Sequence, residues 1–304
     1  MTTALRSRMV QANGLRLHLL HSPGSNSGAM PLLLLHGWPE WSAVWRPMMA
    51  ELLGAHTLVA PDFRGFGDSD KPAAGPADDA TPEQLAADTL ALAAALGLQR
   101  FGLVAHDVGS FVAQVIARRA PERVLGLFFF NCAYPGIGAR WVAPRHLGET
   151  WYQQFHQQPW AAELVGSSHE ACRIYLRAFL RHWAYRADAF DDDDLEAWVH
   201  NFMKPGNLQG GFNWYRSVWA ARLAAIEGSS AASPPIALPT RVFWGAHDPV
   251  LPPAWADRLG ETFTDLTLSL APEAGHFVHW ETPRRAAEAV RAFFSRIGSE
   301  AELA

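Results

Sequence analysis

The sequence has 304 residues, of which 49% are hydrophobic and 18% charged, and its formal net charge is −5. This composition can bury a large core, and the absence of a basic block argues against nucleic acid or an anionic membrane as a partner. No apolar run is as long as a membrane span and no secretory signal is recognisable near the start, so we expect a cytoplasmic protein. The oligomeric state has no signature in the sequence.

Strand-like and helix-like patterns alternate through most of the chain. Asn13-Gly14 predicts a tight hairpin turn, and Thr81-Pro82 predicts the start of a helix that Gly97 ends. The predicted strands are Met9–Val10, Leu15–Leu20, Leu32–Leu35, Thr57–Ala60, Gly102–Ala105, Val124–Phe130, Thr240–Trp244 and Leu266–Leu270. The helices predicted around them are Trp41–Leu53, Thr81–Leu96, Val108–Arg119, Ala254–Leu259 and Pro283–Ile297. This alternation favours an α/β fold with a mostly parallel eight-stranded sheet and helices on both faces.

A long helical segment interrupts the alternation. From Tyr134 to Ala237 the periodicity is helical, and Ser229–Pro235 has the composition of a linker back into the sheet. We therefore assign residues 1–133 and 238–304 to the α/β core and residues 134–237 to an inserted all-helical cap. The many aromatic residues of the cap suggest an apolar cavity, although the sequence does not indicate which of them line it.

The acidic residues and the cysteines have simple structural interpretations. The run Asp191–Asp194 is interpreted as a helix N-terminus, where carboxylates cap free N–H groups, rather than as a cation site. Cys132 and Cys172 are expected to be buried free thiols, since disulfides are rare in cytosolic proteins. Because no spacing typical of a zinc site occurs, we predict no metal.

Asp107 lies between a predicted buried strand and a predicted helix, in Ala105-His106-Asp107-Val108-Gly109. Small residues on both sides of a central nucleophile are typical of the sharp strand-to-helix turn called a nucleophile elbow. Here an aspartate stands where serine is usual, and Ala105 stands where glycine is usual. Taken alone, Asp107 could instead be the N-cap of the helix that begins at Val108.

Two later residues favour a catalytic role for Asp107. Asp248, in Gly245–Pro249, directly follows a predicted strand, and His276 follows the last one. The chain order nucleophile, acid, histidine is that of a hydrolytic triad on a sheet of this kind. We therefore predict a triad of Asp107, Asp248 and His276.

Two backbone amides complete the predicted site. Trp38 lies in His36-Gly37-Trp38-Pro39, just after the third predicted strand, and Val108 directly follows the predicted nucleophile. Amide N–H groups that point at one position stabilise an oxyanion that develops there. We assign the oxyanion hole to the amides of Trp38 and Val108.

Together these motifs resemble those of epoxide hydrolases with the α/β-hydrolase fold, most closely bacterial enzymes that act on small epoxides such as epichlorohydrin. The resemblance extends from about residue 9 to residue 297. The matching segments are His36–Glu40, Asp62–Asp70, His106-Asp107, Gly245–Asp248, Gly275–Phe277, Trp151–His156 and Gly210–Arg216. The last two segments look like those that supply the ring-opening tyrosines, here Tyr152 and Tyr215.

The resemblance implies a two-step reaction that needs no cofactor. Asp107 would attack an epoxide carbon and form an alkyl ester while Tyr152 and Tyr215 protonate the leaving oxygen. Water activated by His276, which Asp248 orients, would then hydrolyse the ester and release a vicinal diol. The expected partners are water and a small, neutral, largely apolar epoxide.

Two alternatives stay open, a dehalogenase and a catalytically silent binding protein. Haloalkane dehalogenases share the aspartate nucleophile but commonly have a tryptophan after it, where this chain has Val108. Fluoroacetate dehalogenases resemble the same frame but carry arginines beside the nucleophile, where this chain has Val108 and Phe111. A catalytically silent protein that binds a small ligand would be expected to lack part of the triad, which is intact here.

Overall fold

The central feature of the fold is a twisted sheet with strand order β1-β2-β4-β3-β5-β6-β7-β8. The computed structural model describes residues 4–24, 30–72, 80–231 and 233–303. The strands are β1 (Arg6–Ala12), β2 (Leu15–Ser22), β3 (Pro31–Leu35), β4 (Thr57–Pro61), β5 (Phe101–His106), β6 (Val124–Phe130), β7 (Thr240–Gly245) and β8 (Leu266–Ala271). β2 pairs antiparallel with β1 and β4, and the other neighbours are parallel. The predicted mostly parallel eight-stranded sheet is therefore confirmed.

Helices pack on both faces of the sheet. They are α1 (Arg46–Glu51), α2 (Pro82–Ala95), α3 (Val108–Arg119), α10 (Val278–Glu281) and α11 (Pro283–Leu303). α2 packs on α3, and α1 packs on α11, while α3 and α11 both contact β6. In this arrangement the loops that follow β3, β5, β6, β7 and β8 meet at one edge of the sheet, where ligands bind in folds of this kind.

Local sequence signals account for the turn between β1 and β2 and for the start of α2. Asn13 and Gly14 have φ values of 48° and 76°, as a tight hairpin turn requires. The side chain of Thr81 accepts a hydrogen bond from the amide of Gln84, which caps α2 as predicted.

Two predicted helices have a different form. The predicted helix Trp41–Leu53 is divided into a 3-10 helix, Ser42–Trp45, and α1, because Pro47 in the first turn of α1 has no N–H to continue the earlier turn. Ala254–Leu259 lies within a 3-10 helix, Pro253–Glu261, rather than an α-helix. The short helix α10 was not predicted from the sequence.

Between β6 and β7 the chain forms a helical insertion, which we define as residues 135–226. It contains a 3-10 helix (Pro135–Val142) and α4 (Leu147–Phe155), α5 (Ala161–Val165), α6 (His169–Trp183), α7 (Asp192–Phe202), α8 (Asn207–Ser217) and α9 (Trp219–Ile226). The division into domains at 133/134 and 237/238 stays a prediction. Residues 1–3, 25–29, 73–79, 232 and 304 of these domains lie outside the described residues.

Two smaller predictions are confirmed in and beside the insertion. Asp191 is the N-cap of α7 and forms a reciprocal capping box with Asp194, so the acidic run is a helix N-terminus. Cys132 and Cys172 are buried and not disulfide-bonded. Within the part of the chain that the structure describes, we find no helix with the length and apolar character needed to cross a membrane.

The insertion packs directly on the loops at the carboxyl edge of the sheet. The indole N–H of Trp198 donates to the Pro39 carbonyl at 2.7 Å, and the amide of His276 donates to the Trp183 carbonyl at 2.8 Å. The Cα atoms of Gly65 and Gly210 also lie in close approach, so that α8 touches the loop after β4. The space between sheet edge and insertion is therefore narrow, and it contains the predicted site.

Candidate active site

Asp107 occupies the sharp turn between β5 and α3. Its φ of 47° and ψ of −114° are unusual for a residue with a side chain, and such strain is commonly found at functional sites. The turn is possible because Gly109 lies against β3, where a Cβ would stand 2.2 Å from the Leu35 carbonyl oxygen. The Asp107 side chain makes no capping hydrogen bond to α3. The alternative interpretation of Asp107 as a helix cap therefore has no support in the geometry.

The carboxylate of Asp107 lies between a backbone amide and an imidazole. Its Oδ1 accepts a hydrogen bond from the Trp38 amide at 3.0 Å, and its Oδ2 lies 4.0 Å from Nε2 of His276. That nitrogen is buried and has no hydrogen-bond partner among the described residues. Val108, the first residue of α3, lines the same cavity as Asp107, and an amide at this position has no acceptor within its own helix.

His276 is fixed on its other side by Asp248. Its Nδ1 lies 2.8 Å from Oδ2 of Asp248, whose Oδ1 accepts from the amides of Val250 and Leu251 at 2.8 and 2.9 Å. Burial alone would lower the pKa of His276, but the carboxylates of Asp248 and Asp107 outweigh burial and raise this pKa to about 9. The two carboxylates therefore favour the imidazolium form of His276 in the free protein.

Asn131 was not predicted as a site residue, although it joins three parts of this arrangement. Its Nδ2 donates to Oδ2 of Asp248 at 2.5 Å and to the Gly275 carbonyl at 3.1 Å, while its Oδ1 accepts from the Gly245 amide at 2.9 Å. Its φ of 44° places it in the left-handed region that asparagine tolerates better than most residues. A polar residue directly after β6 was the only sequence signal for this role.

Glu40 forms a second buried cluster behind the triad. Its Oε1 lies 2.9 Å from Nδ1 of His106 and 3.4 Å from Nε2 of His279, and His106 Nε2 lies 2.8 Å from the His276 carbonyl oxygen. Burial would raise the pKa of Glu40, but the two neighbouring imidazoles lower it well below its usual range. The cluster places an ionised carboxylate beneath the loop that carries Trp38.

Both predicted tyrosines of the insertion face Asp107 across one cavity. Tyr152 on α4 and Tyr215 on α8 line it, with ring centroids 5.4 Å apart and nearly perpendicular planes. Tyr152 also stacks on the indole of Trp38 at 5.2 Å. Burial, with a further contribution from the Asp107 charge, raises the pKa of both phenols above its ordinary value. Both side chains are therefore neutral hydrogen-bond donors at any physiological pH.

The remaining wall of the cavity is only partly apolar. Phe111, Ala133, Trp141 and Trp214 line it together with Gln153 and Arg222. The sequence suggested an apolar cavity lined by aromatic residues, and an arginine in its wall was not expected. No motif indicated it, because Arg222 lies in a helix of ordinary composition and reaches the cavity only through the packing of the insertion.

Family comparisons agree with this geometry. Residues 30–283 match the family model described as the alpha/beta hydrolase fold, and residues 2–44 match the model described as the epoxide hydrolase N terminus. The chain is 30% identical to the soluble epoxide hydrolase of Corynebacterium sp. (strain C12), over 97% of this chain and 99% of that protein. It is 26% identical to epoxide hydrolase 4 of Homo sapiens, over 90% of this chain and 74% of the relative.

Solved structures are similar over the same length. Cfl2 from Burkholderia cenocepacia superimposes with a TM-score of 0.82 at 29% identity and covers 95% of this chain and 96% of its own. The epoxide hydrolase CorEH, solved without ligand, superimposes with a TM-score of 0.80 at 26% identity and covers 97% of this chain and 100% of its own. The chain therefore belongs to the α/β-hydrolase fold family and, within that family, to the epoxide hydrolases.

Proposed function

We propose that this protein hydrolyses an epoxide to a vicinal diol through a covalent ester on Asp107. One observation carries the proposal: the Asp107 carboxylate faces a cavity that it shares with two neutral phenols, and an imidazole lies 4.0 Å behind it. A carboxylate nucleophile, paired proton donors and a separate base are the groups that opening a strained ether and then hydrolysing the product require.

In the first step, an Asp107 oxygen attacks an epoxide carbon from the side opposite the breaking C–O bond. The departing oxygen would be a strongly basic alkoxide, so it takes a proton from Tyr152 or Tyr215 as the bond breaks. Burial keeps both phenols protonated, which supports their role as donors. The step leaves an alkyl ester on Asp107, and its negative charge passes to the phenolate of the tyrosine that gave the proton, which takes a proton back from the His276 imidazolium once the ester is hydrolysed.

In the second step, His276 acts as a general base. The Asp107 carboxylate helps to raise the pKa of His276, so forming the ester lowers that pKa and favours the neutral imidazole. Water beside Nε2 gives its proton to His276 and attacks the ester carbonyl carbon. Asp248 holds the imidazole through Nδ1, and the Trp38 and Val108 amides stabilise the tetrahedral oxyanion.

The source of the added oxygen tests this mechanism directly. In a single turnover in ¹⁸O-labelled water with enzyme in excess, the diol should be unlabelled, and the label should appear in the Asp107 carboxylate by peptide mass spectrometry. Fully labelled diol in that first turnover would mean that water attacks the epoxide directly, which contradicts the proposal.

The covalent intermediate can be trapped by removing the base. In His276→Gln, ring opening should continue while ester hydrolysis stops, so the Asp107 peptide should gain the mass of the epoxide. His247→Gln, at an exposed histidine stacked on Tyr185, is the matched control and should accumulate no adduct. The dehalogenase alternative is tested with 1-bromobutane: bromide release without diol formation from styrene oxide or epichlorohydrin would favour it.

A further inference from the structure

Arg222, on α9, is a cation in the wall of the catalytic cavity. It lines the same small cavity as Asp107, Tyr152 and Tyr215, which is partly open to solvent. Arginine is rarely placed in a partly buried wall unless its charge and its five N–H donors have partners.

Two contacts from other helices hold the guanidinium. Its Nη1 donates to the side-chain oxygen of Gln153 on α4, and its Cζ lies 4.3 Å from the centroid of the Trp141 ring. Gln153 in turn donates from Nε2 to the hydroxyl of Tyr152 at 3.4 Å. The guanidinium is therefore oriented, and its position is linked to that of a proposed proton donor.

The charge of Arg222 has no direct counter-ion in the described part of the chain. No carboxylate there lies within 4.0 Å of its nitrogens, whereas most other buried or half-buried arginines of the insertion form ion pairs, such as Arg173 with Glu196 at 2.8 Å. A partly desolvated cation that keeps free donors is a binding site for an anion.

Before ring opening, Asp107 supplies a negative charge across the cavity from Arg222. When Asp107 becomes an ester, this charge passes to the phenolate of Tyr152 or Tyr215 and disappears again when that phenol regains its proton. A carboxylate on the substrate would instead stay beside Arg222 through both steps.

We propose that Arg222 binds a carboxylate of the substrate, so that the preferred substrates are short-chain epoxides that carry a carboxylate. This inference rests on the proposed function of the same cavity. The planar guanidinium fits a carboxylate through paired N–H donors, and the small cavity limits the chain to a few carbons. This proposal differs from the expectation of a neutral, largely apolar epoxide, and the experiments below decide between the two.

The test compares an anionic epoxide with a neutral one of equal size. Wild type should hydrolyse 3,4-epoxybutanoate with a higher kcat/KM than 3,4-epoxybutanamide. In Arg222→Met this preference should fall by about 30-fold, mainly through KM, as expected for the loss of a charge-assisted hydrogen bond. Arg216→Met, at an exposed arginine of α8, removes the same charge and should leave the preference unchanged.

A binding measurement separates this inference from the proposed activity. By calorimetry, butyrate should bind to wild type more tightly than butyramide does, and Arg222→Met should abolish the difference. Arg222→Lys, which keeps the charge but not the paired donors, should retain part of it.

The inference is overturned if wild type prefers neither 3,4-epoxybutanoate nor butyrate over its neutral counterpart, or if Arg222→Met leaves the preference for the anions unchanged. It is also overturned if Arg222→Met lowers kcat/KM equally for both epoxides, because Arg222 would then only position Tyr152 through Gln153. If butyrate binding depends on Arg222 but no epoxide yields a diol, the anion site stands and the proposed function fails.

Discussion

The two tyrosines have different surroundings, although both face Asp107. Tyr152 stacks on Trp38 and accepts a hydrogen bond from Gln153, whereas the ring of Tyr215 lies 4.6 Å from that of His156. The charge of Arg222 lowers the pKa of both phenols, but burial raises it more, so both stay above the ordinary value. We therefore expect both to donate hydrogen bonds to the same leaving oxygen of the substrate, so that either can partly replace the other.

A test of this sharing uses phenylalanine at each position. Tyr152→Phe or Tyr215→Phe should each lower kcat for ring opening by about 10-fold, and the double variant should lower it by at least about 1,000-fold, because the alkoxide then has no donor. Tyr185→Phe, at an exposed tyrosine of the insertion, is the control. Single-turnover diol formation measures the effect. If the double variant forms diol no more slowly than the slower of the two single variants, the two tyrosines do not share the donation of the proton.

The charge on His276 predicts how the second step depends on pH. Asp248 is the largest influence that raises the pKa of His276, so below about 9 the free protein holds the charged form. Ester hydrolysis needs the neutral base and should therefore become faster as pH rises. In Asp248→Asn the midpoint of this rise should move to lower pH, while the maximal rate falls by about 10,000-fold because the imidazole loses its orienting partner.

The measurement is the decay of the ester in single turnover between about pH 5 and pH 10. Asp257→Asn, at an exposed aspartate paired with Arg140, removes an equal charge far from the imidazole and should leave the midpoint in place. A midpoint that is unchanged or higher in Asp248→Asn would show that Asp248 does not control this proton.

At the scale of elements, α8 is positioned by a contact between two glycines. Gly65 lies in the loop after β4 with a φ of +82°, and a Cβ on Gly210 would stand 1.9 Å from the Gly65 carbonyl oxygen. That oxygen belongs to the backbone and cannot swing aside as a side chain would. The contact therefore fixes the distance between α8 and the edge of the sheet, and this distance determines the position of Tyr215.

Gly210→Ala should push α8 away from the loop and move Tyr215 from the cavity. We expect the free energy of unfolding to fall by about 1–3 kcal/mol, from overpacking, and kcat to fall by at least about 10-fold. Gly148→Ala on α4, where a Cβ would meet nothing within 4 Å, should instead leave activity unchanged and stabilise the protein by about 0.4–1 kcal/mol. Denaturant unfolding measures the stability of both variants, and kcat measures their activity. Equal effects of the two substitutions would contradict the glycine contact.

At the scale of the whole molecule, the buried carboxylate of Glu40 makes stability depend on pH. Because its pKa in the folded protein is lowered well below the ordinary 4.5, the ionised form stabilises the fold above that value. This contribution is lost as pH falls through the folded-state pKa. The same cluster ties the Trp38 loop to α10, so its loss affects the site and the core together.

Glu40→Gln should therefore destabilise the protein most at neutral pH, by about 3 kcal/mol, since a buried pair loses one partner. The difference in free energy of unfolding between wild type and variant should shrink as pH falls below about 4.5. Glu288→Gln, on the exposed face of α11, should show no such dependence. Urea unfolding at several pH values measures this. If the difference in the free energy of unfolding between wild type and Glu40→Gln grows as the pH falls, the ionised Glu40 carboxylate does not stabilise the fold as proposed.

Sequence alone determined the sheet and where the predicted triad had to lie. Strands buried on both faces produce continuous apolar runs, and parallel strands bring their carboxyl ends to one edge. Asp107, Asp248 and His276 each follow such a strand, so their proximity could be predicted without knowing any contact. The two tyrosines were recognised only through the resemblance of their segments, and the roles of all five residues stay predictions.

Only the tertiary structure decided what surrounds those residues. Asn131 reaches Asp248 across 117 positions of sequence, and Arg222 meets Gln153 across 69. No periodic pattern in the sequence encodes such pairs. They depend on how distant segments pack together, and the secondary-structure propensity of either segment alone does not determine this packing. Packing of the insertion thus places the Arg222 cation in a pocket that the aromatic composition of the insertion suggested would be apolar. This position of Arg222 is the reason why we expect the site to accept epoxides that carry a carboxylate.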